Sequence, residues 1–265
     1  MRVHVVSDVH GNADALKRAG DGADALLVLG DLLDFVDYRE HDKGIMGTLF
    51  GAEKVGQFAR LRREGTREET VAFSRTLWAG LDDPAAAVDE AVRAQYETLF
   101  AALTAPTYAT PGNVDSPELW PEFAGAGIHL LDGESVVLGG LRFGFLGGAL
   151  LPEGVVPRRN GIWRPYVRSD EEYDVAAAAM AAEGRIDVLC THIPPAVPEL
   201  LYDVVARRAE LGSAALLRLI REHRPRWSVF GHVHQPLAPR VRVGYTECRN
   251  VGHFKETAQP YVLRW

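Results

Sequence analysis

Trp227-Ser228-Val229-Phe230-Gly231-His232-Val233-His234 decides the reading of this 265-residue chain. Four residues with the texture of a buried strand run straight into two imidazoles spaced two apart. Near the other end, Val3-His4-Val5-Val6 runs likewise into Ser7-Asp8-Val9-His10, a carboxylate and an imidazole at the same spacing. In an open α/β sheet, ligands bind at the carboxyl ends of the strands. Two distant segments that each place metal-type donors after a strand therefore predict an α/β fold with a metal centre on the shared edge. Core packing gives no reason for such a pattern.

The flanking sequence agrees. Residues 2–7 form a nearly unbroken β-branched run, as expected of a strand covered on both faces. Residues 12–19 carry Ala15, Leu16 and Ala19 on one helical face, and 25–29 form a second buried strand ending at Gly30-Asp31. This is a β-α-β unit, which implies parallel strands. From about 37 to 105 strand signals vanish and helical spacing takes over. Its clearest helix begins at Asp83-Pro84, an N-cap followed by the favoured first residue, with 53–63 and 67–77 as weaker helices. We read this as a helical insertion in a single domain spanning 1–265. Strands resume at 107–109, at 136–138 and 141–146 around the hairpin turn Gly139-Gly140, and at 187–191, 227–230, 246–251 and 261–263. Helices are expected at 171–182 and at 213–223, the latter with Leu216, Leu217 and Ile220 inward. Residues 147–168 read as a loop.

Composition narrows the classes. At 47% hydrophobic and 25% charged the chain is an ordinary globular one. A net charge of −7 argues against a nucleic-acid polymer as partner, although bound cations would still attract a small anionic substrate. No apolar run is long enough to span a membrane, and no signal-peptide pattern opens the chain, so a cytoplasmic location without membrane attachment is expected. Cys190 and Cys248 lie in strand-like runs and read as core residues.

Polar residues standing directly after strands form a set of seven: Asp8, His10, Asp31, Asn113, His192, His232 and His234. Singly, each has a bland explanation. An aspartate after a strand caps a helix or shapes a turn, His192 before Pro194-Pro195 serves a loop, and Asn113 serves a turn. Jointly they match a two-ion site. Mixed imidazole and oxygen donors suit manganese, iron or zinc, and seven are more than one tetrahedral ion needs.

Ser7-Asp8-Val9-His10-Gly11-Asn12, Gly30-Asp31, Gly112-Asn113, Thr191-His192 and Gly231-His232-Val233-His234 resemble, in order and spacing, the motifs of the calcineurin-like metallophosphoesterases. The resemblance runs from residue 7 to 234, outside the helical insertion, and is nearest to small bacterial and archaeal phosphodiesterases. It implies a four-layer α/β/β/α sandwich and two divalent ions, manganese first, with iron and zinc as the other candidates. One ion would take Asp8, His10, Asp31 and His234, and the other Asp31, Asn113, His192 and His232, with Asp31 bridging. It further implies direct attack of a metal-bridging hydroxide on phosphorus, in which Asp31, Asn113 and His232 are the catalytic residues.

The sequence departs from the family pattern at Gly112-Asn113-Val114-Asp115. Many members carry a histidine where Val114 stands, and valine cannot donate a proton, so about 10²–10⁴-fold of general-acid assistance is missing. That favours phosphodiesters. Asp115 is expected to bond backbone, and His253 to be a surface histidine rather than a surrogate acid. Asn12, Arg159 and Arg164 are the expected substrate contacts, the arginines lying near Trp163 and Tyr166, which could stack on a base. His4, His41, His129 and His223 read as structural or exposed. The competing readings are an inactive or weak interaction module on the same fold, a phosphomonoesterase or phosphoprotein phosphatase, and a nuclease. A small phosphoester is the expected partner, with oligomeric state open, a dimer included.

Overall fold

The computed structural model describes all residues except 105, 153 and 156–160. Two sheets form its centre. The first orders its strands Tyr261–Arg264, Arg2–Val6, Ala25–Val28, Thr107–Ala109 and Ile128–Leu130, parallel apart from the first-named pair. The second runs Arg240–Val243, Thr246–Asn250, Trp227–Phe230, Val188–Thr191, Leu141–Leu146 and Glu134–Leu138, with a parallel centre and antiparallel edges.

Alternation along these strands assigns the layers, because successive side chains point to opposite faces. Val3, Val5, Leu27 and Leu29 meet Phe143, Phe145, Val188, Cys190 and Val229 between the sheets. Val6, Leu26, Val28 and Ala109 face outward onto helix Pro84–Ala101 and the short turn Ala13–Leu16. Leu146, Leu189, Phe230 and Cys248 face helices Asp170–Ala182 and Ala214–His223. Helices therefore cover the far face of each sheet, which is the expected α/β/β/α sandwich. Both cysteines are buried free thiols, as expected.

Within the helical stretch, three helices span Gly44–Glu64, Arg67–Ala79 and Pro84–Ala101. Asp83 caps the last by accepting the Ala85 and Ala86 N–H groups. Packing divides them. Val88, Val92, Tyr96, Leu99 and Phe100 of the last helix join the main core, whereas Met46, Val55, Phe58 and Leu77 form a cluster of their own.

Several expectations shift. The helix read at 12–19 spans only Ala13–Leu16, because Arg18 and Ala19 donate to carbonyls three residues back and tighten the chain into turns. In Ala214–His223, Leu216 and Ile220 point inward as expected, joined by Ala215 and Leu219, whereas Leu217 is only half-buried. Strands Ile128–Leu130 and Arg240–Val243 were not expected. The loop read at 147–168 contains a two-residue pairing of Ala149–Leu150 with Val167–Arg168.

Candidate metal centre

The carboxyl ends of Arg2–Val6, Ala25–Val28, Thr107–Ala109, Val188–Thr191 and Trp227–Phe230 lie on one rim, which collects all seven donors. Asp31 is central. Its Oδ2 lies 3.8 Å from His10 Nε2 and 3.5 Å from His192 Nε2. On the first side, His10 Nε2 lies 3.3 Å from His234 Nε2, and His234 Nε2 lies 3.4 Å from Asp8 Oδ1. On the second, His192 Nε2 lies 3.1 Å from Asn113 Oδ1, and the His192 and His232 rings meet edge to face at 5.1 Å.

The backbone fixes which imidazole nitrogen faces inward. His10 Nδ1 donates to the Leu33 carbonyl at 2.9 Å and His192 Nδ1 donates to the Leu29 carbonyl at 2.8 Å. A carbonyl only accepts, so in each neutral ring Nδ1 carries the proton and Nε2 turns a lone pair inward. At His192 that lone pair confronts the oxygens of Asn113 and Asp31. Oxygens facing this nitrogen at 3.1–3.5 Å are satisfied either by a divalent cation or, in the metal-free protein, by a second proton on His192. This outer bond from histidine to carbonyl is the arrangement that orients metal ligands, and the donor set therefore fits divalent ions.

Two glycines permit the crowding. A Cβ on Gly231 would lie 2.0 Å from Ser7 Oγ and 2.2 Å from Asp8 Oδ2, and one on Gly112 would lie 2.2 Å from Asp31 Oδ1. The backbone is also unusual at the donors themselves. Asp8, His10, Asp31 and His232 have φ of 56°, 41°, 52° and 67°, in the left-handed region that non-glycine residues seldom occupy. Strain of this kind persists only where surrounding bonds enforce it. Here they do: Asp8 N donates to Gly30 O, His10 N to Asp31 O, and His232 N to the Asp8 carboxylate at 2.9 Å.

Protonation follows from the same proximity. Burial alone would raise the Asp31 carboxyl, but neighbouring His192 brings it down to about 2, and Asp31 in return outweighs burial to raise His192 to about 9. Burial opposes ionisation of Asp8 too, yet its bond to His234 holds it well below the usual carboxylate range. Burial and the His192 charge lower His232 to about 4.

Other expected residues fall in varied places. Asn12 Oδ1 accepts the Ala15 N–H at 3.1 Å and Nδ2 donates to Lys255 O at 3.0 Å, so the amide is engaged at both ends. Arg164 is exposed, and Arg159 lies outside the described residues. Trp163 packs against Phe35 at 4.7 Å, and Tyr166 and Arg168 both bond Asp132, so these groups are committed within the protein. Asp115 behaves as expected, accepting the N–H groups of Leu32, Leu33 and Gly112. Burial and the nearby Asp31 charge push it up to about 7.

His253 corrects its expectation. It is not a surface histidine: its ring stacks on His234 at 3.8 Å and 13° and stands edge-on to His10 at 5.6 Å. Burial and the His234 charge lower it to about 3. The strand-tip rule could have found it, since it follows strand Thr246–Asn250 by three residues. Lys255 was also missed. Its Nζ holds Asp34 Oδ2 at 2.8 Å and Asp37 Oδ2 at 2.7 Å beside the site. A cavity of about 400 Å³ opens here, lined by His10, His234 and His253 together with Phe35, Val114 and Val205.

Fold and donor set together define a metallophosphoesterase-type sandwich. The sequence profile of the calcineurin-like phosphoesterases matches residues 1–236. The chain belongs to that family, whose members generally depend on two metal ions. Among solved structures, TT1561 of Thermus thermophilus is similar with a TM-score of 0.60 at 14% identity, covering 99% of this chain and 98% of that one. Another crystal structure is similar with a TM-score of 0.64 at 18% identity, covering 96% and 91%. At these identities the likeness concerns the fold. No curated protein matches the chain. Among the described residues, no helix is long and apolar enough to cross a membrane.

Proposed function

We propose that the protein is a dinuclear metal-dependent phosphoesterase acting on phosphodiesters. The observation that carries the reading is the position of Asp31 Oδ2, within 3.8 Å of His10 and 3.5 Å of His192, between two groups of donors. Asp8, His10, Asp31 and His234 would hold one cation and Asp31, Asn113, His192 and His232 the other. When bound, such a pair supplies Lewis-acid charge to a phosphoryl group and activates water at neutral pH.

Among the described residues, the hydroxyls and thiol that stand at the donor-bearing strand ends are engaged or inert. Ser7 Oγ donates to Leu29 O, Thr191 Oγ1 donates to Ile193 O, and burial pushes the Cys190 thiol far up. This supports water as the attacking group, with no phospho-enzyme. Val114 on the cavity wall offers no proton to a leaving group, which favours esters whose alcohol departs readily. The apolar side of the cavity, Phe35, Val114 and Val205, suits an organic arm of the ester. On the other side Asp34, Asp37 and Glu256 are paired with Lys255 and Arg39, which leaves one net negative charge there and slightly disfavours a second highly charged group. A diester, with one negative charge and two organic arms, meets both conditions. Arg164 remains a candidate phosphate contact from its exposed loop. For Asn12 such a contact would displace one of its two present bonds. Buried free thiols fit a reducing compartment such as the cytoplasm.

The test is a panel of phosphoesters with manganese: a bis-aryl phosphate, an aryl monophosphate, and 2′,3′- and 3′,5′-cyclic nucleotides. Wild type should hydrolyse diesters fastest and Asp31→Asn should lose at least about 10²-fold, an effect of the size expected when an electrostatic catalytic group is removed. Metal-independent inertness of the wild type on every ester would instead favour an interaction module.

A further inference from the structure

We propose that His253 is an additional imidazole ligand to the cation held by His10 and His234, which makes the two metal positions chemically unequal. The proposal rests on the metal-centre reading above and adds a donor outside the seven strand-tip residues. Both ring nitrogens of His253 are shielded from solvent, and neither has a hydrogen-bond partner. Buried polar atoms almost always find one, so an orphaned ring beside a metal site leaves its nitrogens to an ion, a ligand or a water. One donor atom each from His10, His234 and His253 lie within 4.8 Å of one another.

The ring is also held in place by the loops that carry the other donors. Phe254 N donates to Ser7 O and Lys255 N to Asp8 O, both at 3.0 Å, which ties the segment to the first motif. Asn250 ties it to the last. Its Nδ2 donates to Gly231 O and Val233 O, while its Oδ1 accepts the Gly252 N–H at 2.8 Å. The ring lies face to face with His234, centroids 3.8 Å apart and 13° from parallel, so it must rotate about its side-chain bonds for both in-plane lone pairs to converge on one cation. One cation would thus see three imidazoles and two carboxylates. The other would see two imidazoles, one amide oxygen and the shared carboxylate. The two sets differ by one imidazole at equal oxygen count, and added nitrogen favours borderline metals such as zinc, iron or cobalt over manganese.

The experiment titrates the metal-depleted full chain with Co²⁺, following heat and visible absorption, in wild type, His253→Ala and His253→Gln. Wild type should take up two equivalents in unequal steps. Both variants should weaken the tighter step by at least about 10-fold, the low end of the loss when a metal-orienting partner is removed, and should change its absorption band. Unchanged steps and spectra in folded variants overturn the proposal and leave His253 as a wall or substrate contact. Should the variants not fold, Co²⁺-loaded wild type decides. Its shifted imidazole N–H resonances should number one more than the four strand-tip histidines supply, and equality overturns the proposal. A wild type that binds no Co²⁺ at all overturns the metal-centre reading itself.

Discussion

At the scale of single residues, the site is a problem of crowding solved by omission. Gly231 has no room for a methyl group, since it would meet Ser7 Oγ at 2.0 Å. Gly231→Ala should cost about 1–3 kcal/mol of stability, as overpacking does, and should weaken metal uptake more than it lowers the melting temperature, because Asp8 must move first. Calorimetry and metal titration on the same samples check both. His192 gives a second prediction. In the metal-free protein its acid form persists to about pH 9 beside Asp31, whereas a metal needs the neutral ring. Metal uptake at pH 7–8 should therefore release a proton from His192, and that release should vanish as pH rises past about 9. Titrations in buffers of different ionisation enthalpy measure it. By the same sign, the His192–Asp31 pair stabilises the metal-free fold fully below the unfolded histidine value of 6.5, and loses that contribution as pH climbs through about 9. The seven strand-tip donors were legible in the sequence because each follows a strand and several follow glycine. His253 also follows a strand and a glycine, but it stands alone and three residues past the strand end, so it reads as a surface histidine. The Asp34–Lys255–Asp37 cluster was not legible, because ion pairs between distant loops leave no periodic trace.

At the scale of elements, what the sequence reveals depends on how local the cause is. Asp83-Pro84 announces its helix because the cap bonds residues two and three positions on, and the two positive-φ glycines at 139 and 140 announce the hairpin. Asp83→Ala should lower stability by about 0.5–2 kcal/mol. In a chain of this size that is a fall of a few degrees in melting temperature, with diester hydrolysis unchanged, since the cap lies far along the chain from the rim donors. The edge strands Ile128–Leu130 and Arg240–Val243 escaped because they are short and mostly half-buried or exposed, so their alternation is faint. The loop 161–168 is open to two readings in the sequence, a partly packed loop or a substrate contact. Its aromatic and basic residues suggested an outside ligand, yet Trp163 finds Phe35 and Arg168 finds Asp132. Such partners are set by the tertiary fold and cannot be read from spacing.

At the scale of the whole molecule, the sandwich follows from the buried parallel strands, and the rim follows from the sandwich. Donors from the first sheet are Asp8, His10, Asp31 and Asn113, and those from the second are His192, His232 and His234. Neither sheet can assemble the centre alone. The carbonyl of Leu29 joins them directly, accepting from Ser7 Oγ at 3.1 Å within the first sheet and from His192 Nδ1 at 2.8 Å across the gap. Leu29 itself belongs to the apolar layer between the sheets. A close-packed interior passes displacement along rather than absorbing it. The angle at which His192 presents its lone pair is therefore a gauge of how the two layers sit on each other. Ion affinity at the rim is in that sense a property of the hydrophobic seam beneath it.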